Sequence, residues 1–169
     1  EIKKSQLLEE QSHETVLNIY MNRMVHNLNY FRAKLKPKTK LMAMVKAFSY
    51  GSGSYEVANL LQFHKVDYLG VAYADEGVAL RKAGISLPIL VLNAEPSAFH
   101  DLVNFRLEPE IYGFHQLKSF QEVVAREGLN EPFPIHLKLE TGMHRLGFEE
   151  SQLKDLLELL QQTNVLKVV

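Results

Sequence analysis

The chain has 169 residues, 46% of them apolar, which suits one domain of ordinary size with a real core. A net charge of −1 argues against a nucleic-acid or polybasic membrane surface, and no apolar run approaches the roughly 20 residues of a membrane span. Cysteine is absent, which excludes disulfides and thiolate metal sites. The polar start Glu1-Ile2-Lys3-Lys4 does not read as a signal peptide, so the expected location is the cytoplasm.

Residues 1–14 are polar apart from Ile2, Leu7 and Leu8, and read as a linker or N-terminal extension. Residues 15–20 alternate loosely and make a strand candidate. Asn22 is placed to cap a helix carrying Met24, Leu28, Phe31 and Leu35 at helical spacing, which Pro37 stops. Six β units follow, near 40–46, 67–72, 88–92, 107–112, 135–139 and 165–169. Helices separate them. One runs from Gly53 to His64, one from an Asp75 cap to Gly84, and one over 97–104. Two more cover 115–126, with Leu117, Phe120, Val123 and Val124 on one face, and 149–162, built on Leu153, Leu156, Leu157 and Leu160. The fourth strand is the weakest, because Pro109 removes a ladder donor.

Strict alternation of strand and helix with short connections demands parallel strands joined by right-handed crossovers. The expected fold is α/β: a partial (β/α)8 barrel, with about six of the eight strands that need about 250 residues in full. The chain does not begin with methionine and its sixth strand is cut off, so it reads as excised from something longer.

The stretch from Lys40 to Gly53 carries the chemistry. A short apolar run ends in Lys46, Tyr50 follows four residues later, and Gly51-Ser52-Gly53 makes a turn. Ligands in α/β folds gather at the C-terminal ends of strands. An amine desolvated there becomes available as a nucleophile or Schiff-base former. Position alone leaves open the ordinary alternative, a lysine that snorkels to the rim. The lone Gly-x-Gly is weak, and a P-loop is excluded because Lys46 precedes the glycines. A second cluster, Lys138-Leu139-Glu140-Thr141-Gly142-Met143-His144-Arg145-Leu146-Gly147, follows a strand at the same rim. Arg145 offers a planar fork for a carboxylate or phenolate oxygen. A surface-loop charge is its plain alternative, as a strand-end cation is for Lys138. The seven histidines show no metal-ligand spacing, His64 reads as a helix-face residue, and Tyr68 and Tyr112 read as packing.

At these residues the chain resembles the alanine racemase family. The family pattern Val-Lys-Ala-Asn-Ala-Tyr-Gly-His-Gly stands as Val45-Lys46-Ala47-Phe48-Ser49-Tyr50-Gly51-Ser52-Gly53. The pattern Lys-x-Asp-Thr-Gly-Met-x-Arg-Leu-Gly stands as Lys138 to Gly147, with Glu140 in place of the aspartate. The departures Phe48, Ser49, Ser52 and Glu140 are similar to those of racemases fused behind the D-alanyl-D-alanine-adding ligase of peptidoglycan synthesis. The resemblance covers about residues 15–169 and implies an N-terminal barrel that binds pyridoxal 5′-phosphate. It implies Lys46 as Schiff-base lysine and base, and Tyr50 on the phosphate side. It implies Arg145 near the cofactor's phenolic oxygen and the substrate carboxylate, Lys138 as an often carbamylated lysine that orients Arg145, and Leu92 beside the ring. Alanine is the implied substrate, racemisation for peptidoglycan the implied activity, and a homodimer the implied assembly. The second base is implied to be a tyrosine beyond Val169, so residues 1–169 alone are expected to be inactive. The alternatives are another barrel that binds this cofactor, either a racemase of different specificity or a protein of cofactor homeostasis, and a non-catalytic, self-associating barrel fragment.

Overall fold

The computed structural model describes residues 15–169; the linker expected over residues 1–14 lies outside them. Helix α1 (Met21–Arg32) leads to strand β1 (Met42–Met44), a short helical turn α2 (Lys46–Gly51) and helix α3 (Ser54–Phe63). Then come β2 (Tyr68–Val71), α4 (Ala74–Lys82), β3 (Ile89–Val91), α5 (Phe99–Asn104) and β4 (Glu108–Ile111). The chain continues through α6 (Phe114–Glu127), β5 (Phe133–Leu137), α7 (Leu153–Gln162) and β6 (Leu166–Val168). The six strands form one sheet in the order β1-β2-β3-β4-β5-β6, every pair parallel. All six expected β units are present, and the architecture is a partial α/β barrel. No helix among the described residues is long and apolar enough to cross a membrane.

Parallel strands bury both faces, but the two faces here differ. The outward face is the core. Val45, Leu69, Val71, Ile89, Val91, Ile111 and Ile135 are essentially inaccessible. They belong to one apolar cluster with Ala58, Leu80, Phe99, Leu102, Leu117, Phe120 and Val124 of the helices. Helix α6 shows why it docks: Leu117, Phe120 and Val124 recur at helical spacing and all are buried. Phe120 sits at the centre, edge-on to Phe99 at 5.1 Å and to Phe133 at 5.6 Å. The concave face is polar and partly open. Tyr68 of β2 reaches Glu108 of β4 although β3 lies between these strands, a contact that requires the sheet to curl towards that side. Gly70 shares this face: a Cβ there would lie 2.5 Å from Met44 Sδ, so the curl closes over a residue without a side chain.

Several local expectations are corrected. Residues 15–20 are not a strand: Val16, Leu17 and Tyr20 are exposed, and the described sheet begins at β1, to whose outer edge this segment does not pair. Asn22 does not cap α1, because the helix starts at Met21 with Tyr20 at the N-cap and no side-chain cap bond. Of its expected apolar face only Leu28 is buried, while Phe31 stays exposed. Asp75 likewise lies inside the first turn of α4, whose N-cap is Tyr73. Pro109 does not demote β4 either; the strand is internal, with Pro109 in register with Val91. Arg81 of α4 fastens the helix layer at the far end of the sheet. Its guanidinium donates to the carbonyls of Phe105, Ile85, Leu87 and Arg106 at 2.6–3.0 Å.

Removing the Phe120 ring leaves a cavity between α5, α6 and β5. Phe120→Ala is expected to lose about 3–5 kcal/mol of unfolding free energy. Urea denaturation followed by circular dichroism measures it, and Phe120→Leu should lose clearly less.

Candidate active site

The rim at the C-terminal ends of the strands gathers the expected residues by chain direction alone. Strand β1 ends at Met44, and the ladder continues one residue further through Val45, whose N–H donates to the Gly70 carbonyl at 2.8 Å. Lys46 follows, half-buried, and among the described residues it has no ion-pair partner. The low-dielectric enclosure expected of this lysine is only partial.

What comes next is unusual backbone. Ala47, Phe48, Ser49 and Tyr50 all have φ between 50° and 56° and ψ between 37° and 52°. This is one turn of left-handed helix built from L-residues, a conformation that costs roughly 1–2 kcal/mol per residue. It is closed by the Ser49 N–H on the Val45 carbonyl and the Gly53 N–H on the Phe48 carbonyl, both 3.1 Å. Ser49 is buried beneath it, and Tyr50 is 67% exposed at the rim. Strain of this kind concentrates at functional sites.

The carboxylate of Glu76, in the first turn of α4, holds this segment from outside. Oε1 accepts the Ala47 N–H at 2.6 Å, while Oε2 accepts the N–H groups of Ala72 at 2.6 Å and Tyr73 at 3.2 Å. The sequence reading missed Glu76. Its signal was an acid three residues into a helix that follows directly on a strand.

The second cluster folds back on itself. The Phe148 N–H donates to the Lys138 carbonyl at 2.8 Å and the Glu140 N–H to the Phe148 carbonyl at 2.9 Å, closing a loop over 139–148. Phe148 is buried edge-on against Phe114. Gly147 makes the closure possible: with φ 129°, a Cβ there would lie 2.7 Å from the Glu140 nitrogen. Backbone N–H groups of His144, Gly142 and Arg145 converge on the Glu140 carboxylate and hold its pKa below the usual carboxylate range. Glu140 therefore organises the loop through its longer side chain. Arg145 points from this loop into the open, exposed.

Lys138 and Leu92 complete the rim. The Lys138 ammonium lies 3.7 Å from Glu110 Oε1. Leu92 is half-buried just past β3, its N–H on the Val71 carbonyl. Among the described residues no hydrogen bond or ion pair joins Lys46, Tyr50, Lys138 and Arg145 to one another; they share a rim, not a contact. Below them the concave face holds a cluster the sequence reading also missed. Glu108, nearly buried, accepts the Tyr68 hydroxyl at 3.0 Å and meets His136 Nε2 at 2.7 Å, while the Tyr68 and His136 rings stand edge-on. Tyr68 is thus a hydrogen-bonded group and not mere packing. The available signal was the Glu108-Pro109-Glu110 alternation, which puts two acids on one face of a strand. A concavity of about 740 Å³ lies at the opposite end, lined among others by Arg81, Arg106, Leu129 and Glu108 itself. It lies away from the strand ends at which this architecture binds ligands.

The family profile described as "Alanine racemase, N-terminal domain" matches residues 19–169. The chain belongs to the alanine racemase N-terminal domain family. It is 37% identical over 147 residues to an alanine racemase of Synechocystis sp., covering 86% of this chain and 39% of that protein. It is 40% identical over 133 residues to a protein of Enterococcus faecalis named amino-acid racemase, covering 78% of this chain and 18% of that one. The solved alanine racemase of Clostridium difficile superposes with a TM-score of 0.81 at 33% identity, covering 87% of this chain and 39% of that chain. The chain therefore spans about two fifths of the alanine racemases it matches, or less. In this chain the left-handed turn and the 139–148 loop are places where backbone geometry sets where Tyr50 and Arg145 leave the barrel.

Burial first, and then the Glu108 carboxylate, push the Tyr68 phenol up to about 12 from its ordinary 10.0. The folded state thus keeps a proton that the unfolded chain releases. Its contribution is complete below pH 10 and fades as pH rises towards about 12. Urea midpoints compared between the wild type and Tyr68→Phe are expected to show the wild type losing stability relative to the variant across that window.

Proposed function

We propose that this chain carries the cofactor lysine of an alanine racemase that uses pyridoxal 5′-phosphate. The observation that carries the reading is Lys46, an amine at a barrel strand end with no ion-pair partner among the described residues, directly before a strained turn that brings Tyr50 to the same rim. An aldehyde cofactor needs such an amine, and the donor set around the rim fits the rest of the group. In the proposed site Lys46 holds the cofactor covalently and Tyr50 meets its phosphate. Leu92 lies beside the ring, and Arg145 serves the phenolic oxygen and the substrate carboxylate. Lys138 supports Arg145 from the strand end. When bound, pyridoxal phosphate spreads the negative charge left when the α-proton of an amino acid departs. Once the substrate's own amine has replaced it on the cofactor, the freed amine of Lys46 would take or return that proton on its own face of the substrate. A cytoplasmic homodimer acting in peptidoglycan synthesis belongs to the same reading, as the family resemblance implies.

A broader substrate range is the second reading, favoured by the likeness to the amino-acid racemase of Enterococcus faecalis. Comparing kcat/KM for alanine and serine in the intact protein separates the two: a large preference for alanine supports the first.

Borohydride reduction in the presence of pyridoxal phosphate, followed by peptide mapping, is expected to label Lys46. Lys46→Ala should lose both the label and the cofactor's absorbance band, and racemisation by the intact protein should fall at least about 10³-fold. Label on another lysine, or a band retained in the variant, would remove Lys46 from this role.

A further inference from the structure

We infer that Glu76 is a positioning residue for Lys46, holding the left-handed turn in register through the Ala47 amide; the inference rests on the role proposed for Lys46. An acid three residues into a helix ordinarily serves its own helix end. The Oε2 bonds to Ala72 and Tyr73 do that work. The Oε1 bond does not, because Ala47 lies 29 residues away and belongs to a different strand–turn connection. Its N–H is the first of the left-handed turn. It follows a strand directly, and no carbonyl of the turn stands before it to accept it. At 2.6 Å from an ionised oxygen it makes a short, charge-assisted bond.

One carboxylate thus ties together the chain just after Lys46 and the chain just after β2. The segment it holds is the one whose conformation most needs holding, since all four residues from Ala47 to Tyr50 sit in the left-handed region. The demand is for a carboxylate in particular. Both oxygens accept N–H groups, on opposite sides. A glutamine has one acceptor oxygen and one NH2, so it can serve the α4 side or Ala47, but not both. If the amide turns its oxygen to the helix end, where two donors wait, the turn beside Lys46 is released.

The test uses the intact protein, first stripped of cofactor. Pyridoxal phosphate is titrated back by absorbance, and the borohydride-dependent label on Lys46 is timed by peptide mapping. Glu76→Gln is expected to weaken cofactor affinity about tenfold, the equivalent of one charge-assisted hydrogen bond, and to slow labelling of Lys46. Glu76→Ala should do more. Asp75→Asn is the control: Asp75 Oδ1 accepts the Glu76 N–H at 2.9 Å at the same helix end and does not touch Ala47. It should leave affinity and labelling at wild-type values even where it lowers the unfolding midpoint. Wild-type affinity and labelling in Glu76→Gln, or equal losses in Asp75→Asn, overturn the inference and leave Glu76 a helix cap only. If Glu76→Gln does not fold, Glu76→Asp takes its place. It keeps the charge at the helix end but has a shorter reach to Ala47, so slower labelling supports the inference and wild-type labelling overturns it. Absence of label on Lys46 in the wild type is a different result: it removes the proposed role of Lys46 and this inference with it.

Discussion

Parallel pairing in chain order is the constraint from which the rest of this structure follows. Because β1 to β6 lie side by side in sequence order, every strand ends at the same rim. Lys46, Leu92 and Lys138 lie more than 90 residues apart in sequence from first to last, yet each stands one or two residues past a strand end. The pairing also divides the sheet into two faces with different duties. The convex face is apolar and takes the helices. The concave face, relieved of that duty, can hold Tyr68, Glu108, Glu110 and His136. A carboxylate as deep as Glu108 is tolerable there only because two donors meet it.

The left-handed turn after β1 is the place where local preference is overruled. Four residues in that region cost roughly 4–8 kcal/mol at the usual scale, and neither Ala, Phe, Ser nor Tyr has a side chain suited to it. The turn persists because its backbone bonds are made, Ser49 is buried beneath it and Glu76 takes the free amide at its start. A right-handed helix from the same residues would form without this strain. That the chain adopts the costlier form beside Lys46 is itself an argument that this segment is shaped for something other than stability.

These two features differ in how far they can be read from sequence. Strand existence, order and direction were legible, because short apolar runs alternating with amphipathic segments admit few topologies. That Lys46, Tyr50, Lys138 and Arg145 stand at one rim was legible through the two motifs that carry them. The left-handed turn was not: nothing in Ala47-Phe48-Ser49-Tyr50 signals positive φ, which glycine or asparagine would have done. Glu76 was hidden because its decisive bond reaches a residue distant in sequence. Residues 15–20 were misread for the opposite reason. Alternation marks a segment able to pair but does not bring it against a sheet edge. Pro109 was overweighted, since the loss of one donor does not prevent a strand with neighbours on both sides from staying in the sheet.

The acids of β4 and their counterparts on β5 make a ladder with a fixed step. Glu108 meets His136, and two residues further along both strands Glu110 meets Lys138. A spacing of two keeps each pair on the concave face. The rungs are not equal. The lower one is tight, with a 2.7 Å contact and a second donor from Tyr68. The upper one is loose: the ammonium stands 3.7 Å from its carboxylate, with 39% of the Lys138 side chain exposed. An ammonium 39% exposed and 3.7 Å from its carboxylate, even one as buried as Glu110, gains little, so holding the fold together does not explain it. Its place does: it is the rung at the rim, next to the strand end from which the Arg145 loop departs. The tight rung joins the two strands, and the loose one stands beside the loop that carries Arg145.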